Sequence, residues 1–144
     1  MLAMSDINIE KFFPIFANTG VPVAFLVPTP TGYGKSIMDA TGPVRELLKN
    51  AKLHDYEVQD QGPEHKVLAE SYFVFPDRIQ ETAASLYRPI TKKGDPRIWF
   101  KDLKKYCNPC NLLALITIEN CIYVINLSNP MVTSSLWNKG YVYD

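Results

Sequence analysis

A chain of 144 residues with 47% apolar and 21% charged side chains is long enough for one domain that buries about two-thirds of its unfolded surface, which excludes a disordered segment. Fifteen Lys and Arg balance fifteen Asp and Glu, which argues against indiscriminate coating of nucleic acid and leaves room for a local basic face. No apolar run reaches the ~18 residues of a membrane span, the start Met-Leu-Ala-Met-Ser-Asp lacks the regions of a signal peptide, and three cysteines suit reduced thiols, so a cytoplasmic protein is expected.

Ile9, Phe12, Phe13 and Phe16 recur at helical spacing and predict a short helix over 7–16 that Pro14 bends or ends. Val21–Val27 reads as a strand. The next residues, Thr29-Pro-Thr-Gly-Tyr-Gly-Lys-Ser36, nearly spell a P-loop and resemble the first motif of DEAD-box-like helicases. Gly34, Lys35 and Ser36 meet the motif's last requirements. Thr29 stands where Gly or Ala belongs, Gly42-Pro43 breaks the helix that should face the phosphates, and no Asp follows a buried strand to hold magnesium. The segment therefore reads as a glycine-bearing turn, with an NTPase the least favoured function. A helix from near Lys35 is expected to stop within about two turns, and a second, Pro43–Lys49, to start with Pro at its first position.

His54–Lys66 reads as a long polar connection, and Val67–Phe75 and Thr82–Tyr87 as strands joined by a turn at Pro76-Asp77. Asp95 as N-cap and Pro96 at the first position predict a helix over Pro96–Tyr106, ended by Asn108-Pro109. Leu112–Ile118 and Cys121–Leu127, split only by Glu119-Asn120, predict a tight antiparallel hairpin. Without regular βαβ alternation the expected class is α+β. Residues 1–128 form a single domain, with a mixed, mostly antiparallel sheet, a C-terminal β-hairpin and two to four short helices. Residues 129–144 form an irregular tail or linker whose Trp137, Tyr141 and Tyr143 dock back on the domain or mark a chain that was once longer.

On a helical wheel over 96–106, Arg97, Lys101, Lys104 and Lys105 share one face, opposite Trp99, Leu103 and Tyr106. With Arg88, Lys92 and Lys93 upstream, seven Lys or Arg face only two Asp between positions 88 and 105. Cations on a rigid face displace counterions from phosphates, so this segment is the expected contact with DNA, and Lys35 and Lys66 extend it. The competing reading is the solvated side of an amphipathic helix. A second constellation, Asp55 with Glu64-x-Lys66, imitates the PD-(D/E)xK nuclease signature, in which carboxylates hold magnesium and a Lys orients water. Gly62-Pro63 before Glu64 favours a surface loop instead. Cys107-Asn-Pro-Cys110 has redox or zinc spacing but reads as a turn with two partly buried thiols; no metal is expected, and magnesium enters only with the nuclease alternative.

Six phrases carry a resemblance: Lys35-Ser-Ile-Met-Asp-Ala40, His54-Asp-Tyr56, Gln61-Gly62 with Lys66, Ser85-Leu-Tyr-Arg-Pro89, Gly94-Asp-Pro-Arg-Ile-Trp-Phe100 and Tyr123-Val-Ile-Asn-Leu127. They resemble the N-terminal region of some MvaI/BcnI-like restriction endonucleases, over about 28–128. The resemblance implies a DNA-recognition or regulatory module that serves a nuclease domain lying elsewhere. Asp55-x-Glu57-x-Gln59 is similar to that family's Asp-x-Glu-x-Lys catalytic strand, with Gln in the Lys place. The first choice is thus a module of a restriction or phage-defence system that binds double-stranded DNA. A magnesium-dependent nuclease using Asp55, Glu64 and Lys66 is the second, and a protein-interaction module or inhibitor the third.

Overall fold

The computed structural model describes residues 22–130. Among them, short apolar or alternating segments pair into one seven-stranded sheet: β1 (Ala24–Leu26), β2 (Ile37–Asp39), β3 (Val67–Val74), β4 (Ile79–Tyr87), β5 (Arg97–Phe100), β6 (Leu113–Ile118) and β7 (Cys121–Asn126). Their spatial order is β1-β6-β7-β3-β4-β5-β2. Every pairing is antiparallel except β3 with β7. Three helices, α1 (Pro30–Tyr33), α2 (Gly42–Asn50) and α3 (Leu103–Tyr106), complete an α+β domain with the expected C-terminal hairpin. Glu119 and Asn120 both adopt left-handed φ, the turn whose twist matches that of the flanking strands.

Because successive side chains in a strand point to opposite faces, the sheet divides the core in two. On one face Phe73, Leu86, Ile98, Phe100 and Val124 pack against Val44, Leu47 and Leu48 of α2 and Leu103 of α3. Val44, Leu47 and Leu48 are spaced i, i+3, i+4, which puts one apolar stripe of α2 on the sheet. On the other face Tyr72, Val74, Ile116, Tyr123 and Ile125 form a second cluster.

Two sequence expectations fail together. Instead of a helix over 96–106, Arg97–Phe100 is strand β5, and only Leu103–Tyr106 is helical. Instead of a helix from Lys35, Gly34–Ser36 is a turn into the edge strand β2. The cause is mutual. Ile98 and Phe100 alternate with Arg97 and Trp99, both are fully buried, and Met38 lies opposite Ile98 across the β2–β5 register. Burying those two side chains between β4 and β2 outweighs the local helix-start signal of Asp95-Pro96, worth ~1 kcal/mol. Pro96 instead offers its carbonyl to the Ala40 N–H, at 3.0 Å.

The other boundaries shift modestly: β1 is shorter than Val21–Val27, and β4 starts at Ile79 rather than Thr82. The polar connection 54–66 carries two single 3-10 turns, Tyr56–Val58 and Pro63–His65. The expected helix over 7–16 and the aromatics Trp137, Tyr141 and Tyr143 lie outside the described residues. Among the described residues no helix is long and apolar enough to cross a membrane.

Candidate nucleic-acid interface

The register that buries Ile98 and Phe100 on one face turns Arg97 and Trp99 to the other. There Ile37, Trp99, Ser85 and Leu68 form one row across β2, β5, β4 and β3, and Asp39, Arg97 and Tyr87 form the next. Leu68 is 75% exposed, and Tyr87 and Trp99 are half-buried. Three adjoining depressions of about 370, 370 and 260 Å³ share Lys35, Lys66 and Tyr87 among their walls and make one open trough on this face.

Three lysines from distant segments stand around it. Lys35 comes from the turn after α1, Lys66 from the residue before β3, and Lys92 from the loop before β5; all three are exposed. The Lys66 Nζ sits over the Tyr87 ring, 5.3 Å from its centre. Arg97 also lines the trough, but its guanidinium is ion-paired with Asp39 and its side chain is only 16% exposed. The lining therefore holds four cations against one carboxylate, with the three lysines free to meet a ligand.

The near-P-loop has a structural role here. Thr29 Oγ1 accepts from Gly32 N at 3.2 Å, Thr29 O from Tyr33 N at 2.8 Å, Gly32 O from Lys35 N at 3.0 Å and Tyr33 O from Ser36 N at 3.0 Å. Four amides that would have to face a phosphate in a P-loop are thus spent inside the turn. A Cβ on Gly32 would collide with the Ile37 carbonyl oxygen, so this glycine lets the turn close against β2. The Lys35 side chain stays exposed.

Arg88 has its guanidinium engaged with backbone carbonyls. Its Nε donates to Gly94 O at 2.8 Å, and its Nη1 to Gln59 O at 3.0 Å and Tyr56 O at 3.4 Å, while its own carbonyl accepts from Gly62 N at 2.9 Å. It fastens the connection 54–66 to the loop bearing Lys92. That loop needs fastening, because Lys92, Lys93 and Gly94 are three consecutive left-handed residues, at φ 52°, 57° and 71°. Lys93 is exposed on the same turn. Lys101 follows β5 with its N–H on Ala83 O at 3.0 Å. Lys104 and Lys105 belong to α3, which packs on the other face of the sheet, and Lys105 is 3.8 Å from Asp102. The expected basic helix face therefore does not exist, and its cations separate to the two sides of the sheet.

Asp55, Glu64 and Lys66 are not gathered into a metal site either. Asp55 accepts from Glu57 N at 2.9 Å and lies 3.9 Å from Lys49, whereas Glu64 sits on the other 3-10 turn, 3.5 Å from His65. Among the described residues no group of three or more His, Cys, Asp or Glu is placed to hold a metal. Asp55-x-Glu57-x-Gln59 is a 3-10 turn, not a strand, and Gln59 is a buried fastener. Its amide donates to His65 O at 2.8 Å and Leu86 O at 2.9 Å, using both protons, so its oxygen must accept from His54 Nε2 at 3.0 Å.

Burial lowers the His54 pKa from its ordinary 6.5, an effect partly countered by the Gln59 hydrogen bond and the Asp55 charge. The unfolded chain therefore takes the proton more readily than the folded one. Stability is complete above about pH 6.5 and is lost as pH falls through the folded value. Urea unfolding at pH 7.5 and about 5.5 should show this loss in the wild type. A His54→Gln variant, whose amide keeps a donor without titrating, should show much less of it.

The cysteines stay thiols. Cys107 donates to Leu103 O at 3.6 Å, and burial pushes it up to about 11. Cys121 donates to Glu70 Oε2 at 2.8 Å, and burial, then that carboxylate, also push it up to about 11. Cys110 is exposed and free.

Compared with protein-family models, curated proteins and solved structures, the chain matches none. The trough's aromatic floor is what sequence reasoning missed, since a helical wheel assigned Trp99 to the core. The available signal was the period-two alternation of Arg97-Ile98-Trp99-Phe100.

Proposed function

We propose that the chain is a DNA-binding module of restriction or phage-defence type, acting in the cytoplasm, and that the trough is its contact surface. The observation that carries this reading is the convergence of Lys35, Lys66 and Lys92, from three separate segments, around one aromatic-floored surface. Cations held on a rigid frame at several points match a chain of phosphates better than a single small anion. The resemblance to MvaI/BcnI-like N-terminal regions points the same way. Its phrases at 35–40, 61–66, 85–89 and 94–100 all fall on the walls of the trough or on the loops behind it.

Anisotropy titration of labelled DNA, single-stranded and duplex, over a range of salt concentrations tests the proposal. With three lysines on phosphates, log K should fall with log salt at a slope of about 2–3, from 0.7–0.9 per phosphate. Failure of both forms to bind at low salt ends it.

A further inference from the structure

We infer that the trough takes single-stranded DNA, with neighbouring bases stacked on Trp99 and Tyr87 and the backbone running past Lys35, Lys66 and Lys92; this rests on the DNA-binding reading above. A duplex shows its phosphates and base edges outward and keeps its base faces inside the stack. Lysines alone would suit it. Half-buried aromatic rings on the floor between those lysines would remain unused unless a base were extruded.

The spacing sharpens the choice. Ser85 lies opposite Trp99 and Tyr87 opposite Arg97, so Tyr87 and Trp99 are diagonal neighbours on β4 and β5. Such a diagonal is roughly 7–8 Å, about twice the ~3.4 Å rise per nucleotide of a duplex strand. Two consecutive bases can occupy both rings only in a strand whose bases are not stacked on each other. Leu68 and Ile37 flank the rings in the Trp99 row and continue the apolar floor on either side.

Lys66 covers Tyr87 in the free protein. That cation–π contact at an exposed site is weaker than base stacking on an aromatic side chain. An arriving base therefore displaces the ammonium, which is then free for the adjoining phosphate. DNA is favoured over RNA because the C5-methyl of thymine adds an apolar contact with the floor of Trp99, Leu68 and Ile37 that uracil lacks.

The test uses the full chain carrying Trp137→Phe, which leaves Trp99 as the sole tryptophan. An oligothymidylate of about 12 nucleotides, a size one such surface covers, should quench Trp99 fluorescence and bind at least ~10-fold tighter than a duplex of equal length. It should also bind tighter than the matching oligouridylate. Trp99→Ala should weaken it about 5- to 150-fold, while Trp99→Phe, which keeps a stacking ring, stays within about threefold of the parent. Equal or tighter duplex binding, or binding without quenching, overturns the single-strand assignment and leaves DNA binding standing, whereas a preference for oligouridylate overturns the choice of DNA. Absence of binding to all three probes overturns both.

Discussion

Replacing Arg88 by Ala should lower the unfolding free energy by about 3–4 kcal/mol and Tm by roughly 10–15 °C, a larger effect than removal of any trough lysine. The guanidinium donates to carbonyls of Tyr56, Gln59 and Gly94, and truncation leaves those acceptors part-buried without their charged donor. Each hydrogen bond to a charged group is worth ~1.5–3 kcal/mol, and shared geometry keeps the sum below three full contributions. Arg88→Lys should recover little, since one ammonium cannot reach carbonyls arranged for a planar fork. The loop bearing Lys92 should loosen as well, because its left-handed residues persist only while surrounding contacts hold them. Urea unfolding with hydrogen exchange at Lys92–Asp95 measures both effects. Wild-type stability in Arg88→Ala would show that the carbonyl contacts are dispensable.

Arg88 also shows where sequence reading stops. As a cation beside Lys92 and Lys93 it counts toward a basic patch, and nothing local distinguishes a phosphate ligand from a fastener of backbone carbonyls. The distinction depends on Gln59, nearly thirty residues upstream, lying beside β4 in three dimensions. Strands β6 and β7 were legible because each is a self-contained apolar run bounded by turn residues. The short strands β2 and β5 were not. Each is too brief for its period to outweigh neighbouring signals such as the Asp95-Pro96 helix start, and each is fixed as a strand by long-range pairing, Ile37 against Trp99 across some sixty residues. The charges of the site could be read from composition. Which of them share a face could not, because that follows from the register of β4, β5 and β2 and from α3 crossing to the other side of the sheet.

That division of charges gives the functional prediction with the largest effect. A Lys35→Glu/Lys66→Glu/Lys92→Glu variant should bind DNA on the order of 100-fold more weakly than the wild type at low salt, while Lys104→Glu/Lys105→Glu should stay within about threefold. Each close lysine–phosphate contact contributes ~1 kcal/mol at solvent-like dielectric, so loss of three removes ~3 kcal/mol, and reversal adds repulsion. The salt slope of the triple variant should flatten by about 2–3. Stability should change little in either variant, since all five side chains are exposed, Lys66 gives up a ring contact and Lys105 a solvent-exposed ion pair with Asp102. The two variants differ in total charge by a single site, so a purely global electrostatic attraction would weaken both nearly alike. A greater loss in the triple variant places the phosphate path on the trough side of the sheet. Equal losses would mean global attraction with no defined path, and a greater loss on reversal of Lys104 and Lys105 would move the path to the face that carries α3; either leaves Trp99 and Tyr87 without a ligand.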